Sequence, residues 1–140
     1  LGYMHAGYPI MMYQDSVQYV TDHEYIKENG SWGIFHELGH NQQLDGKNLP
    51  WAWEIRPNTV EGTCNLWTVY VYEQVLNIPR TKQASLTDET RKQRVEEFIK
   101  NGSKLDDWAV WTCLETYLQV CVTSHSILHA QISFVLGSTI

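Results

Sequence analysis

The chain has 140 residues, 43% of them hydrophobic and 12% aromatic, with six tryptophans. That is enough for one domain with large buried surfaces. Sixteen Asp and Glu against ten Lys and Arg leave a net charge of −6 and a pI near 5.4; without basic clustering, this argues against a nucleic-acid binder.

Cys64, Cys113 and Cys121 are odd in number and lack CxxC spacing, so they build no disulfide framework and read as free thiols in a reducing compartment. There is no secretory apolar region at the start and no transmembrane segment. The start at Leu1 suggests a piece of a longer protein.

The first element in chain order is the apolar run Gly7 to Tyr13, GYPIMMY, in which Pro9 restricts it to an edge strand. Asp15 with Gln18 resembles a capping box and Asn29-Gly30 a stop, which predicts a helix over 16–28. A second helix starts at Ser31, carries SWGIFHELGHNQQL and ends before Gly46. The segment DGKNLPWAWEIRP, with Pro50 and Pro57, reads as a loop.

The third helix begins at Asn58 or Thr59 and runs to NIPR, with Leu66, Val69 and Tyr70 inward and Glu73 outward. A solvated helix follows, capped by Thr87 and stopped by Asn101-Gly102, with Val95, Phe98 and Ile99 inward. The last helix, LDDWAVWTCLETYLQ, offers Leu105, Trp108, Trp111, Cys113 and Leu114 to the core. Beyond Gln119 no charged side chain occurs and no clean period is visible.

The chemistry sits in GIFHELGHNQQ, residues 33–43. His36-Glu37-Leu38-Gly39-His40 matches H-E-x-x-H, and positions i and i+4 share a helix face, so both imidazoles can reach one zinc ion. Glu37 stands beside such a metal, where it can take a proton from the attacking water and return it to the leaving amine. A chance match at this composition is on the order of two in a hundred.

A third ligand is required. The elongated form with Gly at 43 and His at 46 fails, because those positions hold Gln43 and Gly46. Glu61, twenty residues after His40 on the next helix, and Glu54 in the tryptophan loop both remain candidates. Glu61 is preferred because a helix holds a ligand more rigidly than a loop. Asp45 is rotated away from the metal face.

Asn65, one turn past Glu61, is in position to hydrogen-bond a ligand. The edge run, through Tyr8 and Ile10, is a candidate for pairing with an extended substrate. Trp51 and Trp53 are candidates for stacking on a sugar or peptide ring, or for core packing. His125 and His129 repeat the four-residue spacing without a carboxylate nearby, and His5 and His23 have no partner in sequence.

Four blocks, LGYMHAGYPIM, HELGHNQQ, EGTCNLWTVYV and WTCLETYLQ, occur in order over residues 1–119. Together they resemble the TRP channel-associated factor family of vertebrates, which carries an enhancin-like domain of peptidase family M-sixty. The resemblance implies a mainly helical α+β, gluzincin-type domain, partial here, with zinc on His36, His40 and Glu61 and Glu37 as base. Enhancin-type relatives act on glycoproteins such as mucins, which implies a peptide or glycoprotein substrate. Channel-associated members bind TRP-type ion channels, promote their delivery to the plasma membrane and alter gating. That implies a non-catalytic channel partner and a cytoplasmic, membrane-associated location. The mammalian members carry Arg at the position of His40, whereas this chain keeps the complete box. Residues 120–140 do not resemble the family and are expected to be a divergent tail, of the kind produced by translation past an exon end or by alternative splicing.

Overall fold

The computed structural model describes residues 3–43 and 57–123. A two-stranded antiparallel hairpin pairs β1 (Met4–His5) with β2 (Met11–Met12), in the register Met4↔Met12 and His5↔Met11. Six helices follow: α1 (Gln18–Thr21), α2 (His23–Asn29), α3 (Trp32–Gln42), α4 (Pro57–Tyr70), α5 (Asp88–Lys100) and α6 (Val110–Thr123). The mainly helical expectation holds. The edge strand is shorter than the run Gly7 to Tyr13: Tyr8 and Ile10 lie in the hairpin turn, which contains a cis Tyr8–Pro9 bond.

The helix expected over 16–28 is two helices. Asp22 is extended at φ −84 and ψ 103, and its carboxylate accepts the Tyr25 N–H at 2.9 Å. An internal Asp has become an N-cap, because its short side chain competes with the helix ladder. Gly30, at φ 69, ends α2 as expected, and a Cβ there would stand 2.4 Å from the Tyr72 ring.

The core lies where α4 meets α6. Val69, Leu86, Leu114 and Leu118 form its buried cluster, with Trp32, Leu66 and Trp111 packed against it. Aromatic edges knit α3 to it: Trp32 lies 5.4 Å from Tyr72 and 5.9 Å from Trp111, and Phe35 meets Tyr72 edge-on at 6.0 Å. After Tyr70 the α4 ladder widens into a π turn over Val71–Val75, and Arg80 clamps Glu73 with two hydrogen bonds of 2.5 and 2.6 Å.

Two expected core residues are outside. Ile99 is 63% exposed and Leu105 is 52% exposed. The inner face of α5 is instead Arg91, Arg94, Val95 and Phe98, all half-buried. Arg91 donates to the buried Glu115 carboxylate of α6 at 2.7 and 3.0 Å, and this turns the helix so that Ile99 points outward. Leu105 falls in a 3₁₀ turn, Leu105–Asp107, that precedes α6 rather than belonging to it. At its far end α6 runs on to Thr123, into the segment that reads as a tail.

Candidate metal centre

α3 and α4 pack face to face, and Gly39 allows it. A Cβ on Gly39 would lie 2.7 Å from the Cys64 carbonyl oxygen and 3.0 Å from Cys64 Cα. Only a glycine lets the α4 backbone come this close. The approach sets His36 and His40, one turn apart on α3, against Glu61, Cys64 and Asn65 on α4.

Three atoms converge. His36 Nε2 is 3.2 Å from His40 Nε2 and 3.2 Å from Glu61 Oε2, and His40 Nε2 is 3.5 Å from the same oxygen. Two nitrogens on a tetrahedral zinc at about 2.0–2.1 Å stand about 3.3–3.4 Å apart, so the observed separations match such a donor set. The two imidazoles are mostly buried and the Glu61 side chain is 44% exposed, so the cluster opens to solvent on the carboxylate side.

The tautomers of both histidines follow from their neighbours. The indole N–H of Trp32 can only donate, and it donates to Asn65 Oδ1 at 3.1 Å. That oxygen also faces His36 Nδ1 at 2.8 Å, so Nδ1 carries the proton and donates it. Gln43 Nε2 donates to the carbonyl of Val60 and to Thr63 Oγ1, which turns Gln43 Oε1 toward His40 Nδ1 at 2.8 Å. His40 Nδ1 is therefore also a donor. With each Nδ1 bonded away, both Nε2 atoms face each other and the Glu61 carboxylate. In this respect the residues present fit a zinc ion.

Cys64 completes the cluster. Its sulfur lies 3.6 Å from His36 Nε2 and 3.3 Å from His36 Nδ1, and donates to the Glu61 carbonyl at 3.1 Å. One donor atom from each of His36, His40, Glu61 and Cys64 can be chosen so that all lie within 4.8 Å of one another. Burial, then the charge of Glu61 and more weakly that of Glu37, push the Cys64 thiol well above its ordinary range, against the opposing Asn65 N–H. Glu37 itself is half-buried on α3. Cys113 is a contrasting buried thiol: burial raises it to about 11, and it packs in the core at the α4–α6 contact, under Gly62.

The hairpin is tied to the metal helix. Asn41, in the last turn of α3, accepts from the Gly7 N–H at 2.9 Å and donates to the Gly7 carbonyl at 3.0 Å. Tyr8, in the turn just beyond, is 84% exposed and Ile10 is half-buried. His5 and His23 are exposed and outside the cluster. Trp51, Trp53, Glu54, Asp45, Gly46, His125 and His129 lie outside the described residues.

Sequence reasoning brought His36, His40, Glu61 and Asn65 together and missed Gln43, Trp32 and Cys64. Gln43 had been weighed only as a failed glycine; its position three after His40 places it on the same helix face. Cys64 stands three after Glu61 and shares the metal-facing side by the same rule.

A half-buried cluster of two imidazoles and a carboxylate on two packed helices is a candidate metal centre. The family model of peptidase M60, enhancin and enhancin-like, matches residues 1–123, and the chain belongs to that family. Its curated relatives are TRPM8 channel-associated factors. The chain is 50% identical over 120 residues to the TRPM8 channel-associated factor homolog of Xenopus laevis and to TRPM8 channel-associated factor 2 of Mus musculus. It is 46% identical over 121 residues to TRPM8 channel-associated factor 1 of Homo sapiens. These matches cover 85% or 86% of this chain but only 12% or 13% of each relative, so the chain spans about an eighth of their length. No solved structure matches. Among the described residues no helix is long and apolar enough to cross a membrane.

Proposed function

We propose that this chain carries the zinc-binding core of a gluzincin-type peptidase domain, with His36, His40 and Glu61 as metal ligands and Glu37 as general base. One observation carries the reading: the two Nε2 atoms and the Glu61 carboxylate meet at 3.2–3.5 Å while both Nδ1 atoms are hydrogen-bonded away from them. Zinc held there would polarise a peptide carbonyl and lower the pKa of water toward about 7. The chain's own groups do the rest. Glu37 takes a proton from the attacking water and passes it to the leaving amine nitrogen. Asn65 and Gln43 hold the imidazole rings in orientation. Tyr8 and Ile10, with Trp51 and Trp53, supply contacts to an extended peptide or glycoprotein. In this reading residues 1–119 are the domain portion and residues 120–140 a divergent tail.

A second reading is favoured by the relatives' names. The domain then serves as a non-catalytic scaffold on the cytoplasmic side of the plasma membrane, binding a TRP-type channel and influencing its delivery and gating. The two readings separate at Glu37, which only the first requires.

Metal content of the purified chain, measured by elemental mass spectrometry beside His40→Arg, is the test. Roughly one zinc per folded chain, lost in the variant, supports the centre. Peptide hydrolysis abolished by Glu37→Gln with zinc retained then supports catalysis. No zinc in either folded protein overturns the metal reading and leaves the scaffold.

A further inference from the structure

We propose that Trp32 is a positioning residue for the metal centre: its indole N–H fixes the Asn65 side-chain amide, which keeps the His36 proton on Nδ1 and leaves Nε2 free to bind the ion. The proposal rests on the zinc reading above and deepens it by assigning what holds one ligand in its binding form. A neutral imidazole carries its single proton on one nitrogen, and only the bare nitrogen can ligate.

The cluster by itself favours the other form. His36 Nε2 stands 3.2 Å from Glu61 Oε2, so a proton on Nε2 would close a hydrogen bond to the carboxylate and fill the ion's place. That form requires Nδ1 to accept. The Asn65 amide, with Oδ1 2.8 Å from Nδ1, could supply the donor by turning over and presenting Nδ2 where Oδ1 stands. Trp32 opposes the turn. Its Nε1–H lies 3.1 Å from the same Oδ1 and can only donate, so the flipped amide would set donor against donor. Asn65 is 2% exposed, so solvent does not relieve the clash at the amide. A buried donor left without its acceptor shifts an equilibrium by about 5- to 150-fold. Cys64 Sγ, 3.3 Å from Nδ1, offers it no proton either, because its S–H donates to the Glu61 carbonyl at 3.1 Å.

The helix places Trp32 for this task. Trp32, His36 and His40 recur every four residues along α3, so the indole sits one turn before the first ligand on the same face. Its ring is held by Tyr72 at 5.4 Å and Trp111 at 5.9 Å, and it packs against the cluster of Val69, Leu86, Leu114 and Leu118. The aromatic core therefore aims the N–H, the N–H orients the amide, and the amide sets the imidazole. Asn65 needs this guide because its side chain donates at one end and accepts at the other. A carboxylate at the same position, with oxygen at both ends, would not.

Nitrogen-15 spectra of the histidine rings in the metal-free 140-residue chain, with zinc affinity measured on the same samples, test this. In the unmodified chain His36 should carry a proton on Nδ1. Trp32→Phe, which keeps an aromatic ring without the N–H, should move a measurable share of it to Nε2. Zinc affinity should fall by the roughly 10- to 100-fold that follows loss of an outer hydrogen-bond partner. Asn65→Asp supplies the control background, because a carboxylate accepts at either end. There, Trp32→Phe should leave the proton on Nδ1 and zinc affinity close to that of Asn65→Asp alone. An equal loss in both backgrounds overturns the proposal, since the packing of the ring, not its N–H, then acts on the site. A Trp32→Phe chain that keeps both the Nδ1 proton and the zinc affinity overturns it too. A proton on Nε2 with Nδ1 bare in the unmodified chain overturns it without any variant having to fold. Absence of zinc from the unmodified folded chain overturns the metal reading instead, and the proton positions across the same variants still decide the role of Trp32.

Discussion

Two charged clusters, one between α5 and α6 and one between α3 and α4, are built on different logic. On the α5–α6 side, Glu115 is 4% exposed and takes both Arg91 nitrogens at 2.7 and 3.0 Å, with Gln119 donating at 3.0 Å. The Glu115 carboxylate there has its complement within the chain. On the α3–α4 side, two imidazole nitrogens converge on the Glu61 carboxylate, and the Cys64 thiol lies beside the His36 ring. The first cluster closes around the Glu115 carboxylate. The second brings together groups that could hold a metal ion. Buried charge that serves the fold tends to close on itself, whereas converging titratable groups mark candidate functional sites.

The sharpest way to break this contrast is to remove one member from each side. Arg91→Ala strands the Glu115 carboxylate in the interior and should cost about 3–5 kcal/mol of stability. Glu61→Ala, at a side chain that is 44% exposed, should leave the metal-free protein within about 0.5 kcal/mol of the unmodified chain. Urea unfolding of both variants in chelator measures it. A large loss for Glu61→Ala without metal would show that the α3–α4 cluster is structural in its own right.

A smaller effect probes the second cluster with metal present. Zinc at one hundred times its dissociation constant should stabilise the fold by about 2.7 kcal/mol, an effect that chelator removes. Gln43→Ala frees the His40 ring from its amide and should weaken zinc about 10- to 100-fold, reducing that stabilisation to about 1.4 or 0.4 kcal/mol at the same zinc concentration. Thermal unfolding across a zinc series reads both. An unchanged zinc dependence in Gln43→Ala would mean that the His40 ring needs no support.

The same contrast explains what was legible in the sequence. The metal cluster has a local signature: His36 and His40 are one turn apart, and Glu61, Cys64 and Asn65 follow helical spacing on a second element. Spacing therefore exposes most of it, and a rigid-element argument favoured Glu61 over Glu54. The Arg91–Glu115 pair joins single residues on two helices, 24 positions apart, with no motif to mark either end. Periodicity assigns apolar residues inward, so it turned Ile99 to the core and left Arg91 outside. The helix break at Asp22 was hidden for a related reason: an Asp inside a polar helical pattern looks like surface until its carboxylate is seen on the Tyr25 N–H. Spacing reveals clusters carried on one or two helix faces and is blind to side chains whose partner fixes their rotation.

The mildest perturbation is acidification, which should distinguish the two sides without mutating the unmodified chain. Burial alone would raise the Glu115 carboxyl, but hydrogen bonds from Arg91 and Gln119 and the charges of Arg91 and Arg94 outweigh it and hold the group below the ordinary carboxylate range. A carboxyl lowered in the folded state contributes stability that is complete above its unfolded pKa, about 4.3, and is lost as pH falls through the folded value. The metal-free chain should therefore lose stability as pH drops below about 4.3. Glu115→Gln should flatten that slope while starting from a lower stability at neutral pH. Urea midpoints between pH 7 and pH 3 in chelator check it. If Glu115→Gln keeps the full slope, the acid sensitivity belongs to other carboxylates, and the α5–α6 pair is held by packing of the Arg91 stem rather than by its charge.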